Sequence, residues 1–544
     1  MTDGENTGKK KLMLTHPERD LNRTGAVSNV QNTQTATRRA PKAQAALAGL
    51  LAGALTVGEA ELLAALFVRF GVGGGAASPV IAVGDAFVDR TPGWLKDFAI
   101  RTLGASDKVV LLASIGVVLV LLALVAGLLA RVRLVAGLAV VVLLAAVAAV
   151  AVATRPASSP LDVMATLVGA VLGLLALSYL MTRPASESHG WSRRTFLQGA
   201  GVVGAGALVS GATSRFAPGS STDVEGSRSA VKLPTPVEKV TLPEGVELPV
   251  KGITPFTTKN ADFYRVDTAL TLPRLRAEDW QLKVHGMVDR ELTLTYADLL
   301  KLPMVERVTT ITCVSNEVGG KLAGNAVWLG YPVSELLKQV APDGDADMVL
   351  STSVDGMTIS TPLANLTNGR DALLAIAMNG EPLPVEHGFP ARLVVPGLYG
   401  YVSATKWVTD LKVTRFDRDQ AYWTPRGYDA KAPIKMASRI DVPKSFAKLT
   451  AGKNAVAGVA WAQTTGIAKV QVRVDGGPWQ DARLAEVPGK NTWVQWVYEW
   501  DATPGNHNIS CRAIDADGNE QVEARARIRP NGTTGLDSKS VQVA

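Results

Sequence analysis

The sequence predicts a multidomain chain: all-α membrane helices, then an α+β domain, then an all-β sandwich. Three observations predict it. Residues 45–214 are rich in Ala, Leu, Val and Gly and contain apolar runs long enough to cross a bilayer. From about Phe256, β-branched runs alternate with short stretches of helical spacing. From Ile440 to Arg529, short strands recur between Gly- and Asp-rich turns.

The 544 residues are enough for several domains, and the 47% that are hydrophobic are unevenly spread. A net charge of +7 is small for this length, and no stacking platform for bases accompanies it, so nucleic acid is not an expected partner. Much of the basic charge lies in residues 1–44, at Lys9, Lys10, Lys11, Arg38, Arg39 and Lys42, which reads as a cytoplasmic flank of a membrane span. Two cysteines exclude a disulfide-rich scaffold. They leave open one bridge between Cys313 and Cys511, although the alternating run around Cys511 suits a small buried hydrophobe.

Five spans are expected: Ala45–Phe70, Val109–Ala130, Leu134–Ala153, Leu161–Met181 and the shorter, Gly-rich Phe196–Val209. The first four fall in a membrane region, 45–183, and the fifth in a signal and anchor segment, 192–214. The basic tail and Arg131-Val132-Arg133 both read as cytoplasmic. Four crossings then return the chain to the inside, where Ser192-Arg193-Arg194-Thr195-Phe196-Leu197 would be read as a twin-arginine signal. Such a signal implies export of a folded domain. No A-x-A cleavage site follows, so the segment is expected to stay as an anchor in the cell membrane, with everything after about residue 215 on the extracytoplasmic side.

Ile81–Leu103 carries Asp85, Asp89, Arg90, Trp94, Lys96 and Arg101 among apolar residues and predicts an interfacial amphipathic helix. Glu59 and Glu61 fall within the first span, either in a proton or quinone role or facing an interhelical gap. None of the five histidines lies in a span and no C-x-x-C-H occurs, so no haem is expected. Electrons must pass to a separate electron-transfer partner or a quinone. Residues 215–255, rich in Pro, Ser, Gly and charge, predict an extended linker.

The domain at 256–430 shows strands at Leu282–Gly286, Arg307–Cys313, Leu393–Pro396 and Trp407–Val413, and helices at Tyr296–Leu302 and Pro332–Val340. Cys313 stands where a strand gives way to the loop Val314-Ser315-Asn316-Glu317-Val318-Gly319-Gly320, a common position for a functional side chain. From the residues alone it is either structural or a metal ligand. One thiolate cannot make a zinc or iron–sulfur site without companions, and no C-x-x-C or H-x-x-x-H is present. If Cys313 binds metal, a non-protein ligand must supply most of the coordination.

Thr312-Cys313-Val314-Ser315-Asn316, followed by Trp328-Leu329-Gly330, resembles the molybdenum-cofactor domain of the sulfite oxidase family. So do Met378-Asn379-Gly380-Glu381-Pro382-Leu383-Pro384, His387-Gly388-Phe389-Pro390-Ala391-Arg392-Leu393-Val394-Val395-Pro396 and Tyr399-Gly400-Tyr401-Val402-Ser403-Ala404-Thr405-Lys406-Trp407. The resemblance implies a sulfite-oxidase-type α+β fold and a molybdenum–molybdopterin cofactor, with Cys313 as metal ligand and catalytic residue. It implies that Asn260, Tyr264, Arg265, His387, Arg392, Ser403, Thr405 and Lys406 hold the pterin and its phosphate, with Thr352 a candidate from position alone. A buried phosphate needs Arg or Lys and backbone donors, which agrees. The chain departs from the family in one place. Sulfite oxidases carry arginines just after the metal cysteine, where this chain has Glu317-Val318-Gly319-Gly320. A cationic pocket is what a sulfite dianion needs, so a neutral S- or N-oxide becomes an equal candidate substrate.

Residues 437–530 predict an all-β sandwich and resemble the immunoglobulin-like dimerisation domain of the same family, which implies a possible homodimer. Trp461, Trp479, Trp493, Trp496 and Trp500 read mostly as core or interface. The function expected is two-electron oxygen-atom transfer on a small S- or N-containing substrate. The alternative is a metal-free cell-surface binding protein with its sandwich on a helical anchor.

Overall fold

Uninterrupted Ala/Leu/Val runs become helices because a helix satisfies its own backbone groups wherever water is absent. In the computed structural model they form α1 (Lys42–Arg69), α3 (Asp107–Val132), α4 (Leu134–Ala153), α5 (Asp162–Thr182) and α6 (Arg193–Phe216), with a shorter α2 (Pro79–Arg90) after α1. The structure describes residues 40–70, 78–92, 95, 102, 107–155, 158–182, 193–216 and 221–544. The tail at 1–39, Trp94, Lys96, Arg101, Arg183 and Ser192 lie outside the described residues.

Five of the helices are long and apolar enough to cross a membrane, matching the five expected runs. The last is longer than its sequence signal, because Gly, Ala and Ser continue the helix past Val209. Helix α1 packs against α3, α5 and α6. Small residues allow these approaches: Gly49 lies against Ala123 and Gly127, and Gly169 and Gly173 lie against Thr56 and Ala60. Outward-facing Val118, Leu121, Leu143, Val171 and Leu208 remain exposed, as a lipid-facing surface requires.

Of the segment expected as an interfacial helix, Ile81–Leu103, the part up to Arg90 lies in α2, capped by Ser78, and most of the remainder lies outside the described residues. Helix α2 packs on α4 and also touches the domain that follows. Gly84 approaches Leu270, while Asp89 accepts from Arg155 at 3.0 Å and from the Tyr422 hydroxyl at 2.9 Å. Glu59 accepts from Ser210 Oγ at 2.5 Å. Glu61 accepts from Ser78 Oγ at 2.9 Å and from the Val80 amide at 3.2 Å, so it anchors the head of α2.

The linker expectation needs correction. Its first part is helix α7 (Ser221–Ala230), docked on the α+β domain. Val224 is buried in the main core, and Arg228 donates to the carbonyls of Pro382 and Leu383 and pairs with Glu381. Two apolar residues in ten, Val224 and Ala230, leave no period to detect, yet one arginine with several acceptors suffices to seat the helix. Beyond it the chain is extended, as expected, and Glu238 bridges to Val305 in parallel.

The α+β domain holds two sheets. One runs β2 (Leu292–Thr295), β1 (Gln281–Gly286), β10 (Val408–Thr414), β5 (Met348–Ser353), β6 (Thr358–Pro362). The other runs β3 (Val305–Thr312), β4 (Ala323–Pro332), β7 (Leu373–Met378), β8 (Glu381–Pro382), with β9 (Arg392–Val394) also on β7. Both sheets contribute to one core, which includes Trp280, Trp328, Leu374, Phe389 and Leu411. The helix expected at Tyr296–Leu302 is regular only to Leu299, since Pro303 pushes the residue before it out of helical geometry.

Residues 437–543 form two further sheets, a four-stranded one with Gly452–Trp461 and Val494–Ala502 and a five-stranded one with Ile467–Val474 and Gly505–Asp515. Ile440, Val456, Val472, Trp496 and Cys511 share the core between them. The boundary expected at 530 is too early: Asp537–Val543 pairs with Gly505–Asp515 as a further strand. Its sequence, Asp-Ser-Lys-Ser-Val-Gln-Val, is mostly polar and gives little warning. Trp461, Trp493, Trp496 and Trp500 are buried, whereas Trp479 is half-buried between the Arg473 and Arg512 guanidiniums.

Candidate active site

Strand β3 delivers Cys313 and is gripped by the sandwich. Thr310 Oγ1 accepts from the Trp493 amide at 2.8 Å, and the Thr310 amide donates to Asn491 O at 3.0 Å. The loop after Cys313 is held from the same side. Thr533 Oγ1 donates to Asn316 O at 2.9 Å, Arg439 donates to Gly320 O at 2.8 Å, and Gly319, at φ +74°, lies against the Asp537 carboxylate. A side chain at 319 would meet both the left-handed backbone and that carboxylate.

Cys313 is buried and carries a free thiol, as does Cys511, so the possible bridge is not made. Cys511 accepts a hydrogen bond from Ser438 Oγ at 3.2 Å inside the sandwich core. The Ser315 amide points at Cys313 Sγ from 3.4 Å. Burial raises the thiol's pKa, and the Ser315 amide opposes this only in part. The thiol is therefore neutral until a cation lies beside it, and a metal would deprotonate it. Among the described residues no group of three or more His, Cys, Asp or Glu could hold a metal ion.

The fold brings Cys313, Tyr264, Tyr399 and Arg392 together. Burial first, and then the proximity of Cys313, hold both the Tyr264 and the Tyr399 hydroxyls above their usual range. Arg392, 5% exposed at the start of β9, donates to His387 O at 3.0 Å and lies 5.1 Å from the Trp328 ring. It has no carboxylate partner among the described residues. Burial lowers its pKa to about 10, which Tyr264 partly offsets. His387 Nε2 lies 3.1 Å from Asn260 O. Burial and then the Arg392 charge bring its pKa down to about 4, so it is neutral at neutral pH. Asn260 donates to Met378 O at 3.1 Å and accepts from Asn379 Nδ2 at 2.7 Å. Asn379, at φ +51°, sits in the Asn379-Gly380 turn between β7 and β8.

A second cluster centres on Asp267, whose side chain is 5% exposed. Its carboxylate takes Arg265 Nε at 2.9 Å, Lys406 Nζ at 2.9 Å and Lys108 Nζ at 2.7 Å. Burial alone would raise its pKa, but Lys406, Arg265 and Lys108 outweigh this and hold it well below the usual carboxylate range. Lys406 is lowered to about 8 by burial, against the pull of Asp267. Gly388, at φ +109°, makes the packing possible, since a Cβ there would stand 3.0 Å from Lys406 Cβ and 3.1 Å from Arg392 Cβ.

Ser403 and Thr405 are buried nearby as internal ties. Ser403 Oγ lies 3.0 Å from the carbonyls of Leu398 and Tyr399, and Thr405 Oγ1 lies 2.6 Å from Ser351 Oγ. Thr352 is not brought to the cluster. Alternate residues of β5 point to opposite faces, and it is Ser351 that faces Thr405. Sequence reasoning missed Asp267, Lys108, Ser351 and Tyr399 as site members. The Asn379-Gly380 dipeptide was a legible hairpin signal, whereas nothing in the sequence marked Asp267.

The buried Cys313 thiol and the buried Arg392 guanidinium both neighbour Tyr264. Residues 269–423 match the oxidoreductase molybdopterin binding domain. The chain is 34% identical over 149 residues to the uncharacterized oxidoreductase YuiH of Bacillus subtilis, covering 27% of this chain and 72% of that protein. It is 31% identical over 267 residues to the protein-methionine-sulfoxide reductase catalytic subunit MsrP of Burkholderia mallei, covering 44% and 73%. It is 29% identical over 322 residues to the mitochondrial sulfite oxidase of Mus musculus, covering 50% of this chain and 58% of that one. The chain thus spans little more than half the length of that sulfite oxidase. It belongs to the sulfite oxidase family of molybdopterin-binding oxidoreductases.

The residues present fit such a cofactor. Arg392 is a buried cation whose acceptors among the described residues are backbone carbonyls, and the three cations at Asp267 exceed its single charge. Thr312 Oγ1 and Ser353 Oγ are buried without a hydrogen-bond partner. Asn260, Tyr264, Arg265 and Asp267 precede the matched residues, but the fold places them against His387, Arg392 and Lys406.

Proposed function

We propose that this chain is a membrane-anchored molybdopterin-dependent oxidoreductase that transfers an oxygen atom, with two electrons, on a small S- or N-containing substrate. The observation that carries the proposal is Arg392, a buried guanidinium without a carboxylate partner among the described residues, near Tyr264, which also neighbours the Cys313 thiol. When bound, the cofactor supplies the metal centre that exchanges the oxygen atom and the electrons. Cys313 provides the protein thiolate, kept in one orientation by the Ser315 amide and by the sandwich's hold on β3. Arg392, Lys406 and Arg265 oppose the cofactor's anionic end. Asn260 and His387 frame the pterin, while Ser403 and Thr405 keep the 399–406 loop in place. Tyr264 and Tyr399, kept protonated by burial, place hydroxyl groups in the neighbourhood of the thiol.

The uncharged Val318-Gly319-Gly320 stretch in the Cys313 loop favours a neutral S- or N-oxide over sulfite. The likeness to a protein whose name is that of a methionine-sulfoxide reductase subunit supports the same choice. The five apolar helices, the basic flanks and the Arg193-Arg194 pair support an enzyme facing away from the cytoplasm, its electrons exchanged with a separate protein or a quinone. The two-sheet module at 437–543 suits an immunoglobulin-like role in dimerisation and, within the chain, as the clamp on β3. Metal and pterin analysis of the purified protein beside Cys313→Ser tests the reading. About one molybdenum per chain is expected in the parent, as a single-thiolate site implies, with activity lost in the variant. A folded, metal-free parent from cells that make the cofactor would leave the cell-surface binding protein as the better reading.

A further inference from the structure

The membrane bundle enters the cofactor site itself. Lys108 lies in the first turn of α3, and its ammonium meets three acceptors on the α+β domain: Asp267 Oδ1 at 2.7 Å, Asp267 O at 2.9 Å and Ala269 O at 2.6 Å. The other carboxylate oxygen, Oδ2, takes Arg265 and Lys406, both at 2.9 Å. One carboxylate is thus divided between the membrane helix and two cations of the site. Leu270, the next residue along the chain from Ala269, packs against Gly84 of α2. Segment 267–270 is therefore held from two membrane elements at once.

We infer that Lys108 is a positioning residue for the cofactor, and that the site is complete only when α3 is docked. This rests on the molybdopterin reading above. The physical argument concerns charge. Without Lys108, Oδ1 of a nearly buried carboxylate loses its cation, and Lys406 is the mobile neighbour able to replace it. Lys406 would then be drawn toward Asp267 and away from the cofactor's anion. With Lys108 present, Asp267 holds Lys406 on one oxygen only, and the Lys406 ammonium keeps hydrogens for other acceptors, one of which is Glu386 O at 3.2 Å. The anchor thereby sets the strength of the anion site as well as the location of the enzyme.

The experiment uses the full chain in detergent and follows retained molybdenum by mass spectrometry and retained pterin by fluorescence after dilution. Lys108→Gln should lose both together roughly tenfold faster than the parent, the scale of one charge-assisted contact. Lys108→Arg should recover most of the retention. Asp267→Asn removes the charge that would draw Lys406 away, so adding it to Lys108→Gln should recover retention rather than worsen it, because both act through one carboxylate. Tyr422→Phe removes a different contact between anchor and domain, the one to Asp89, and should retain the cofactor like the parent. Parental retention in Lys108→Gln overturns the inference, as does equal loss in Tyr422→Phe or additive loss in the double variant. Should Lys108→Gln not accumulate, Lys108→Arg and Tyr422→Phe still decide: loss in both would mark a merely structural contact. A parent without molybdenum and pterin would instead remove the reading beneath.

Discussion

Replacing Arg392 with Met separates a residue kept for folding from one kept for an anion. Burial lowers its pKa from the ordinary arginine range to about 10, which corresponds to about 3 kcal/mol held against the charged form in the folded protein. The substitution removes that penalty. It also strips a donor from His387 O, and weaker ones from Leu393 O and Ala404 O, at about 1–3 kcal/mol. The two effects oppose each other and nearly cancel, so the cofactor-free protein should change by no more than about 1–2 kcal/mol. Cofactor binding has no such compensation. Losing a buried charge-assisted partner of the phosphate should weaken it roughly 100-fold. Chemical denaturation of the cofactor-free protein gives the first quantity, and pterin fluorescence after equilibrium dialysis gives the second. A variant that loses well over 3 kcal/mol of stability while binding the cofactor like the parent would refute the reasoning.

Gly388→Ala places a side chain at φ +109° against Lys406 and Arg392. About 1–2 kcal/mol of backbone strain is expected, together with reduced pterin content, read by denaturation and fluorescence on the same samples. His387 is held at about 4 against an ordinary 6.5, so the unfolded chain binds the extra proton between those values. Stability from this group is complete above pH 6.5 and is lost as pH falls toward 4, by up to about 3 kcal/mol. His387→Gln should flatten that part of the stability profile, and an unchanged slope would count against it. Thr533→Val removes the sandwich's bond to Asn316 O, for about 1 kcal/mol. It should alter KM for the oxo-substrate while leaving molybdenum content unchanged.

Cys313 and much of the proposed cofactor cradle can be singled out from the sequence because they lie in short local stretches. Cys313 is followed by a Gly-rich loop, and His387, Arg392 and Lys406 fall in one run whose turns are fixed by Gly388 and neighbouring residues. The helix-length apolar runs were legible for the same reason, since a helix needs only its own residues to satisfy its backbone. Thr352 failed because a strand's two faces differ by one residue, and only pairing with the neighbouring strands decides which is which. Helix α7 failed because its stability comes from Arg228 reaching acceptors more than 150 residues away, not from any period of its own. The strand Asp537–Val543 failed because its few apolar side chains acquire a face only once Gly505–Asp515 lies beside it.

By itself the sequence determined five membrane-length helices, a single cysteine at a strand end and a set of local motifs rich in Gly, Arg and Lys. Only tertiary structure decided that Asp267 collects Arg265, Lys406 and a lysine from a membrane-length helix, and that the sandwich clamps the Cys313 strand. The reason is physical. Helix formation and turn geometry depend on neighbours along the chain, whereas the sharing of a buried charge depends on neighbours in space, which no linear pattern records.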